Sequence, residues 1–401
     1  MQNSSINQHC CHDRKEVCRM GDIRSYIKEK GGLSFEEWAF GEVDSLILSQ
    51  LSYLNLQNSG AAQKKFSVSL QEIVSAQFTE EFVSQTLTPD KNRELLFAAA
   101  ESKRFGGICP GYYCNLLDAE NEKQFAAVTF RLGKQFYYVA YRGTDGSFVG
   151  WKEDLNLSFS KQIPAQLDAV HYYEEVCKRR KGEFLLGGHS KGGNLAVYTA
   201  MACSPKAKKK LGAVYNHDGP GFVQEFFSQE EYQKIRPLIH KTIPQTAIVG
   251  LLLEQHEDYS VVESDAFAFL QHDPFSWVVE EGAFVPIQSV TFFSEYTNKA
   301  LNTWLNQLDM ETRRKFVETL YQMIVSTNAN TFPELLEQGG AAMKLFFRNL
   351  RSTDPEVKKL MNQTIAALIR VSMHEMKSLL HQRIVSKKEN AASETDNSAS
   401  E

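Results

Sequence analysis

The chain has 401 residues, 42% of them apolar and 23% charged, a balance that excludes low-complexity, collagen-like and wholly disordered chains. A net charge of -5 with both signs interspersed leaves no electrostatic footprint for nucleic acid or an anionic membrane surface. The longest apolar run, residues 247–253, is far short of the roughly 20 residues that a membrane-spanning helix needs.

Residues 1–21 are polar and carry no apolar stretch of the kind a secretory signal requires, so a flexible N-terminus and a cytoplasmic protein are expected. The 7 cysteines are odd in number and scattered, which favours reduced thiols over a disulfide framework. His9, Cys10, Cys11, His12 and Cys18 cluster, but a structural zinc site shows two closely spaced ligand pairs, and here the candidates are adjacent or far apart. Cys109 and Cys114 form one pair with no second nearby. No metal and no organic cofactor are expected.

Residues 22–54 carry two short helical patterns, the second built on Val43, Leu46, Ile47, Leu51 and Leu54 behind the acidic Glu42 and Asp44. A further helix is expected around residues 92–104. From Phe125 the pattern changes: FAAVTF and QFYYVAY flank a Gly-containing turn and predict an antiparallel hairpin. Its second strand runs into the polar, Gly-rich loop RGTDGSFVGWKEDLN. Pro164 opens a helix, EFLLGG predicts a buried strand, a helix follows over 191–203, and GAVYN predicts the next strand. The basic runs 178–181 and 206–210 fall at or just after helix ends, where cations suit the helix dipole. Strands alternating with helices of this length indicate a mainly parallel sheet. Beyond Phe292 the strands stop, and helices are expected near 299–325, 333–350 and 355–386, followed by a disordered tail over 389–401. The expected organisation is a flexible 1–21, an α/β core over 22–292, a helical region over 293–388 and the tail.

Glycines bunch at 143–150, 187–193 and 219–221, which marks three loops. The middle one reads Gly188-His189-Ser190-Lys191-Gly192 between an apolar strand and a helix, the context in which G-x-S-x-G is a nucleophile elbow. The turn is so tight that residues two before and two after the serine must be small. A phosphate-binding turn is the bland alternative, but GGHSKGG lacks both the G-x4-G-K-[ST] and the G-x-G-x-x-G spacing. A serine nucleophile needs a base and a residue to orient it.

GGHSKGGNLAVYTA resembles the elbow of the class 3 lipases of the α/β-hydrolase superfamily, and VAYRGTDGSFVGWKEDLN resembles their F-R-G-T loop with its following W-x-x-D-L. The longer series GEVDSLILSQLSYL, YRGTD, GGHSKGGNLA, HDGPGF and QHDPFSW is closer still to the bacterial Mbeg-like proteins, over about residues 22–290. The resemblance implies an α/β-hydrolase fold with a C-terminal α-helical extension. It also implies a lipase or esterase that cleaves a carboxylic ester, acyl-glycerol or another small acyl ester, through an acyl-enzyme on Ser190. His272, in the loop LQHDP, stands where the family carries its base. The two oxyanion donors are expected at the backbone N–H of Lys191, the residue after the nucleophile, and at Thr144. Arg142, Asp145, Trp151 and Asp154 are read as supports of that second loop.

In class 3 lipases the acid follows the next strand, yet the comparable stretch here, residues 245–250, has no carboxylate. Asp218, at the end of the strand after the elbow helix, is in reach by the geometry of adjacent parallel strands. Asp258 and Glu254 are the alternatives, and a loop brace is the bland reading of Asp218. His217 is expected to support the site, with His240 and His256 at the surface. The aromatic segment 222–235 reads as a small lid, a wall of an acyl pocket or a plain surface helix. The same machinery serves a thioesterase or a peptidase. The missing carboxylate also keeps a non-catalytic binding or scaffold protein in view. The expected partner is a small-molecule or lipid ester, with peripheral membrane contact and a homodimer through the C-terminal helices as further readings.

Overall fold

Strands with near-continuous apolar runs, such as FYYVAY and FLLGG, form the middle of the protein, because both faces of its sheet are covered. The computed structural model describes residues 21–326 apart from 158, 159 and 255, with five isolated positions beyond. The helices expected over 333–350 and 355–386, apart from those five positions, the tail and the His9–Cys18 cluster lie outside the described residues. The strands are β1 (Cys109–Asp118), β2 (Lys123–Gly133), β3 (Phe136–Tyr141), β4 (Glu183–His189), β5 (Leu211–His217), β6 (Ile239–Pro244), β7 (Tyr259–Val262), β8 (Val279–Glu280), β9 (Ala283–Phe284) and β10 (Pro286–Ile287). Eight of them form one sheet in the order β1-β2-β3-β4-β5-β6-β7-β10, with β8 and β9 paired separately. From β3 to β7 every pairing is parallel, while β1, β2 and β10 pair antiparallel at the two ends.

Helices α1 (Ile23–Lys30), α2 (Glu42–Leu51), α3 (Leu70–Gln77) and α4 (Pro89–Glu101) precede the sheet. Then come α5 (Phe148–Asn156), α6 (Pro164–Arg179), α7 (Lys191–Ala202), α8 (Pro205–Lys208), α9 (Gln224–Phe227) and α10 (Glu230–Ile235). Alternation along the strands sorts the core into two layers. Tyr138, Ala140, Leu185 and Tyr215 pack with Leu46, Leu51 and Leu95 of α2 and α4 on one face. Tyr137, Val139, Phe184, Leu186 and Val214 pack with Ala169 and Tyr173 of α6 and Leu195 and Val197 of α7 on the other. The N-terminal helices are therefore part of the core. Their arrangement is held by a buried ion pair in which Arg104 Nε and Nη2 donate to the two Asp44 oxygens at 2.6 and 2.7 Å.

Three sequence expectations change. The hairpin is a three-stranded antiparallel edge, since β1 precedes it; Pro110 and Gly111 hide this strand from a β-pattern, and its register shifts between Gly111 and Cys114. The single helix expected near 299–325 is two, α11 (Phe292–Gln307) and α12 (Met310–Val325), with a fresh start where Asp309 Oδ1 accepts the Thr312 N–H at 2.7 Å. The segment 222–235 is two short helices, α9 and α10, that turn their aromatic side inward and leave Gln224, Glu230, Gln233 and Lys234 exposed. Phe222, Phe226 and Phe227 are buried in the layer under α7, and Phe226 stacks on Tyr198.

Helices α11 and α12 pack on the sheet body. Asn298 Nδ2 donates to Ala247 O at 2.8 Å, and Asn302 bonds to both Leu251 and Leu253. Glu318 of α12 meets Lys152 of α5 at 2.7 Å. Phe316 and Met323 of α12 are buried, while the side chains of Leu301, Trp304 and Leu305 lie outside the described set. Among the described residues no helix is long and apolar enough to cross a membrane.

Candidate active site

The site begins at the C-terminal end of β4. Ser190 sits between that strand and α7 at φ 59° and ψ -133°, a strained combination for a residue with a side chain, and its N–H is fixed by His217 O at 2.9 Å. The turn closes so tightly that a Cβ on Gly188 would stand 2.3 Å from the Gly192 carbonyl carbon. This is the geometry that G-x-S-x-G requires.

Two loops meet the serine there. His272, at the end of a short 3-10 turn, brings Nε2 to 2.9 Å from Ser190 Oγ, and its Nδ1 lies 2.6 Å from Asp218 Oδ2. A carboxylate can only accept, so Nδ1 carries the proton and Nε2 is free to accept from the serine. Asp218 follows β5, adjacent to β4 in the parallel sheet, with its side chain 1% exposed. Its second oxygen accepts the Gly250 N–H at 3.0 Å. The loop after β6 thus supplies a backbone donor to the carboxylate in place of a carboxylate of its own. The alternatives do not converge on the histidine: Asp258 is fully exposed and pairs with Arg236 at 3.7 Å, and Glu254 bridges Phe222 through its backbone.

Thr144 stands in the loop after β3, next to β4. The approach of this loop to the serine is close: a Cβ on Gly143 would lie 3.1 Å from Ser190 Cβ. The Thr144 hydroxyl donates to Asp154 Oδ2, so only its backbone is available toward the serine. Burial pushes the Asp154 carboxyl up to about 6 although the Lys191 ammonium is 3.7 Å away. Arg142 holds the loop as expected, donating to Asn115 Oδ1 at 3.0 Å and Asp145 Oδ2 at 3.3 Å. Trp151, by contrast, is 44% exposed on α5.

Asp154 anchors the loop through Thr144, and Glu153, beside it on α5, is tied to the elbow helix. Lys191 Nζ, buried below the elbow, donates to Glu153 Oε2 at 2.9 Å and to Gln124 O and Oε1 at 3.1 Å. A lysine directly after the serine, opening a helix that is otherwise buried, was the available signal for a buried acidic partner. His217 also lies beneath the site, with Nε2 at 2.8 Å from Ser45 Oγ, and burial pushes its pKa down to about 3. His240 and His256 are exposed, stacked on Tyr215 and Phe227. Among the described residues no group of three or more His, Cys, Asp or Glu side chains is placed to hold a metal ion.

A mainly parallel sheet with helices on both faces and a strained serine between its central strand and helix defines the α/β-hydrolase fold. Residues 99–322, more than half of the chain, match the family described as Mbeg1-like, and the chain belongs to that family. Similar solved structures include M37 lipase, with a TM-score of 0.32 and 12% identity over 65% of this chain and 78% of that one. The native Rhizomucor miehei lipase propeptide complex gives a TM-score of 0.30 and 14% identity over 54% of this chain and 68% of that one. No curated protein matches the chain.

Proposed function

We propose that the protein is a serine hydrolase of carboxylic esters, a lipase or esterase working through an acyl-enzyme on Ser190. The observation that carries this reading is the unbroken hydrogen-bond chain from Ser190 Oγ through His272 to Asp218. Ser190 Oγ attacks the ester carbonyl while its proton passes to His272 Nε2. The carbonyl electron pair moves onto oxygen, and the oxyanion is met by the N–H groups of Lys191 and Thr144. As the pair returns, the carbon–oxygen ester bond breaks and His272 gives its proton to the departing alkoxide. Water then repeats the sequence on the acyl-enzyme and releases the acid. Asp218 keeps the proton on Nδ1 throughout and offsets the imidazolium charge.

A fluorophosphonate probe tests this directly. Wild type is expected to be labelled, and both Ser190→Ala and His272→Ala to lose the label. Labelling that persists in Ser190→Ala, or is absent in wild type, overturns the assignment. Labelling of wild type would also exclude a non-catalytic binding module. A series of p-nitrophenyl esters of rising chain length then separates a small-ester enzyme, active on acetate alone, from one that takes longer acyl chains.

A further inference from the structure

Tyr53 and His189 stand outside the Ser190, His272 and Asp218 series, yet they touch both loops that serve it. His189 is the last residue of β4 and is 5% exposed. Its Nε2 lies 2.8 Å from the main-chain oxygen of His272, and the two imidazole rings are 4.5 Å apart. A carbonyl oxygen accepts only, so His189 carries its proton on Nε2. The other nitrogen, Nδ1, faces the Tyr53 hydroxyl at 3.3 Å and accepts from it. The opposite tautomer would leave His272 O without a donor. Burial and the neighbouring His272 and His217 rings keep His189 neutral, with its basicity well below that of an ordinary histidine.

The Tyr53 oxygen has a second neighbour. A Cβ on Gly143 would meet it at 2.2 Å and the His189 carbonyl oxygen at 2.6 Å, so the phenol and β4 press on the backbone of the Thr144 loop together. The remaining attachments of the His272 loop come from elsewhere: Trp277 Nε1 donates to Gln271 O at 2.8 Å, and Gln271 Oε1 accepts the Thr246 N–H at 2.7 Å. His189 bonds the main chain of residue 272, whereas Asp218 and Ser190 meet its imidazole. Tyr53 lies just past α2, before the stretch that matches the family, 136 residues from His189.

We propose that Tyr53 and His189 are positioning residues of the hydrolase site. His189 fixes the His272 main chain so that Nε2 faces Ser190, and Tyr53 selects the His189 tautomer that does so while bracing the Thr144 loop. The N-terminal helices thereby complete the site. This rests on the serine-hydrolase reading above.

The test uses the full chain and two independent readouts. In steady-state ester hydrolysis, Tyr53→Phe is expected to lower kcat about 10-fold and His189→Ala about 100-fold, with KM within about twofold, because a misplaced base slows chemistry without removing substrate contacts. His189→Gln, whose amide can still donate to His272 O, is expected to recover part of the loss. The second readout needs no turnover: imidazole nitrogen NMR of the resting protein should show His189 as a single neutral tautomer protonated on Nε2, and mixed tautomers in Tyr53→Phe. An unchanged kcat in Tyr53→Phe, or a His189 protonated on Nδ1 in wild type, overturns the proposal. Failure of fluorophosphonate labelling with the NMR result intact would instead strike the hydrolase reading.

Discussion

Asp218→Asn is expected to lower kcat for ester hydrolysis by about 10³ to 10⁴-fold while KM and thermal stability stay near wild type. The size follows from tautomer control. Gly250 N–H donates to one Asp218 oxygen and His272 Nδ1 faces the other. An asparagine placed here must keep its single oxygen toward Gly250, because a buried N–H left without an acceptor is costly. Its NH2 group then faces His272, so Nδ1 must become the acceptor and the imidazole proton moves to Nε2. That nitrogen can no longer take the Ser190 proton. The substitution changes neither volume nor packing at a side chain that is 1% exposed, so the loss should appear in kcat and not in the melting temperature. Asp258→Asn is the control and is expected to be unchanged, since Asp258 is fully exposed beside Arg236. Full activity in Asp218→Asn would remove Asp218 from the mechanism.

The features legible in the sequence are those made by neighbouring residues. The elbow has its small residues at fixed offsets from Ser190, and the β2–β3 hairpin and the strand–helix alternation are short-range patterns, so their places were readable without coordinates. The three glycine bunches were readable for the same reason: tight turns and close backbone approach need residues without side chains. What was hidden is pairing across distance. β1 escapes because Pro110 and Gly111 break its pattern, although its edge position tolerates both. The acid remained open because a missing carboxylate in residues 245–250 looks like a lost group until Gly250 is seen donating to Asp218. The aromatic segment 222–235 reads alike whether its rings face a substrate or the core, since periodicity reports a buried face and not what buries it. Tyr53 could not be connected with His189 by any local rule.

Lys191→Met is expected to destabilise the protein by about 3–5 kcal/mol, the cost of breaking one side of a buried ion pair. Lys191 and Glu153 are 1% and 0% exposed, and without the ammonium the Glu153 carboxylate would stay buried with only the Gln124 and Ala165 N–H groups, at 3.1 and 3.0 Å. Those two donors explain why Glu153 is there. It ties the start of β2 and the first turn of α6 to the helix that follows the nucleophile. Adding Glu153→Gln should recover a large part of the loss, because the amide oxygen still accepts one N–H and no unpaired charge remains. Chemical denaturation of the two single variants and the double variant gives the coupling energy, and an additive result would show that the pair is not what holds these elements together. Activity should follow a different course. The oxyanion donor proposed for Lys191 is its main-chain N–H, which methionine retains at the same place at the head of α7. The folded fraction of Lys191→Met is therefore expected to keep kcat within about tenfold of wild type. A variant that is fully stable but inactive would mean that the ammonium serves the reaction itself, against its burial beneath the elbow.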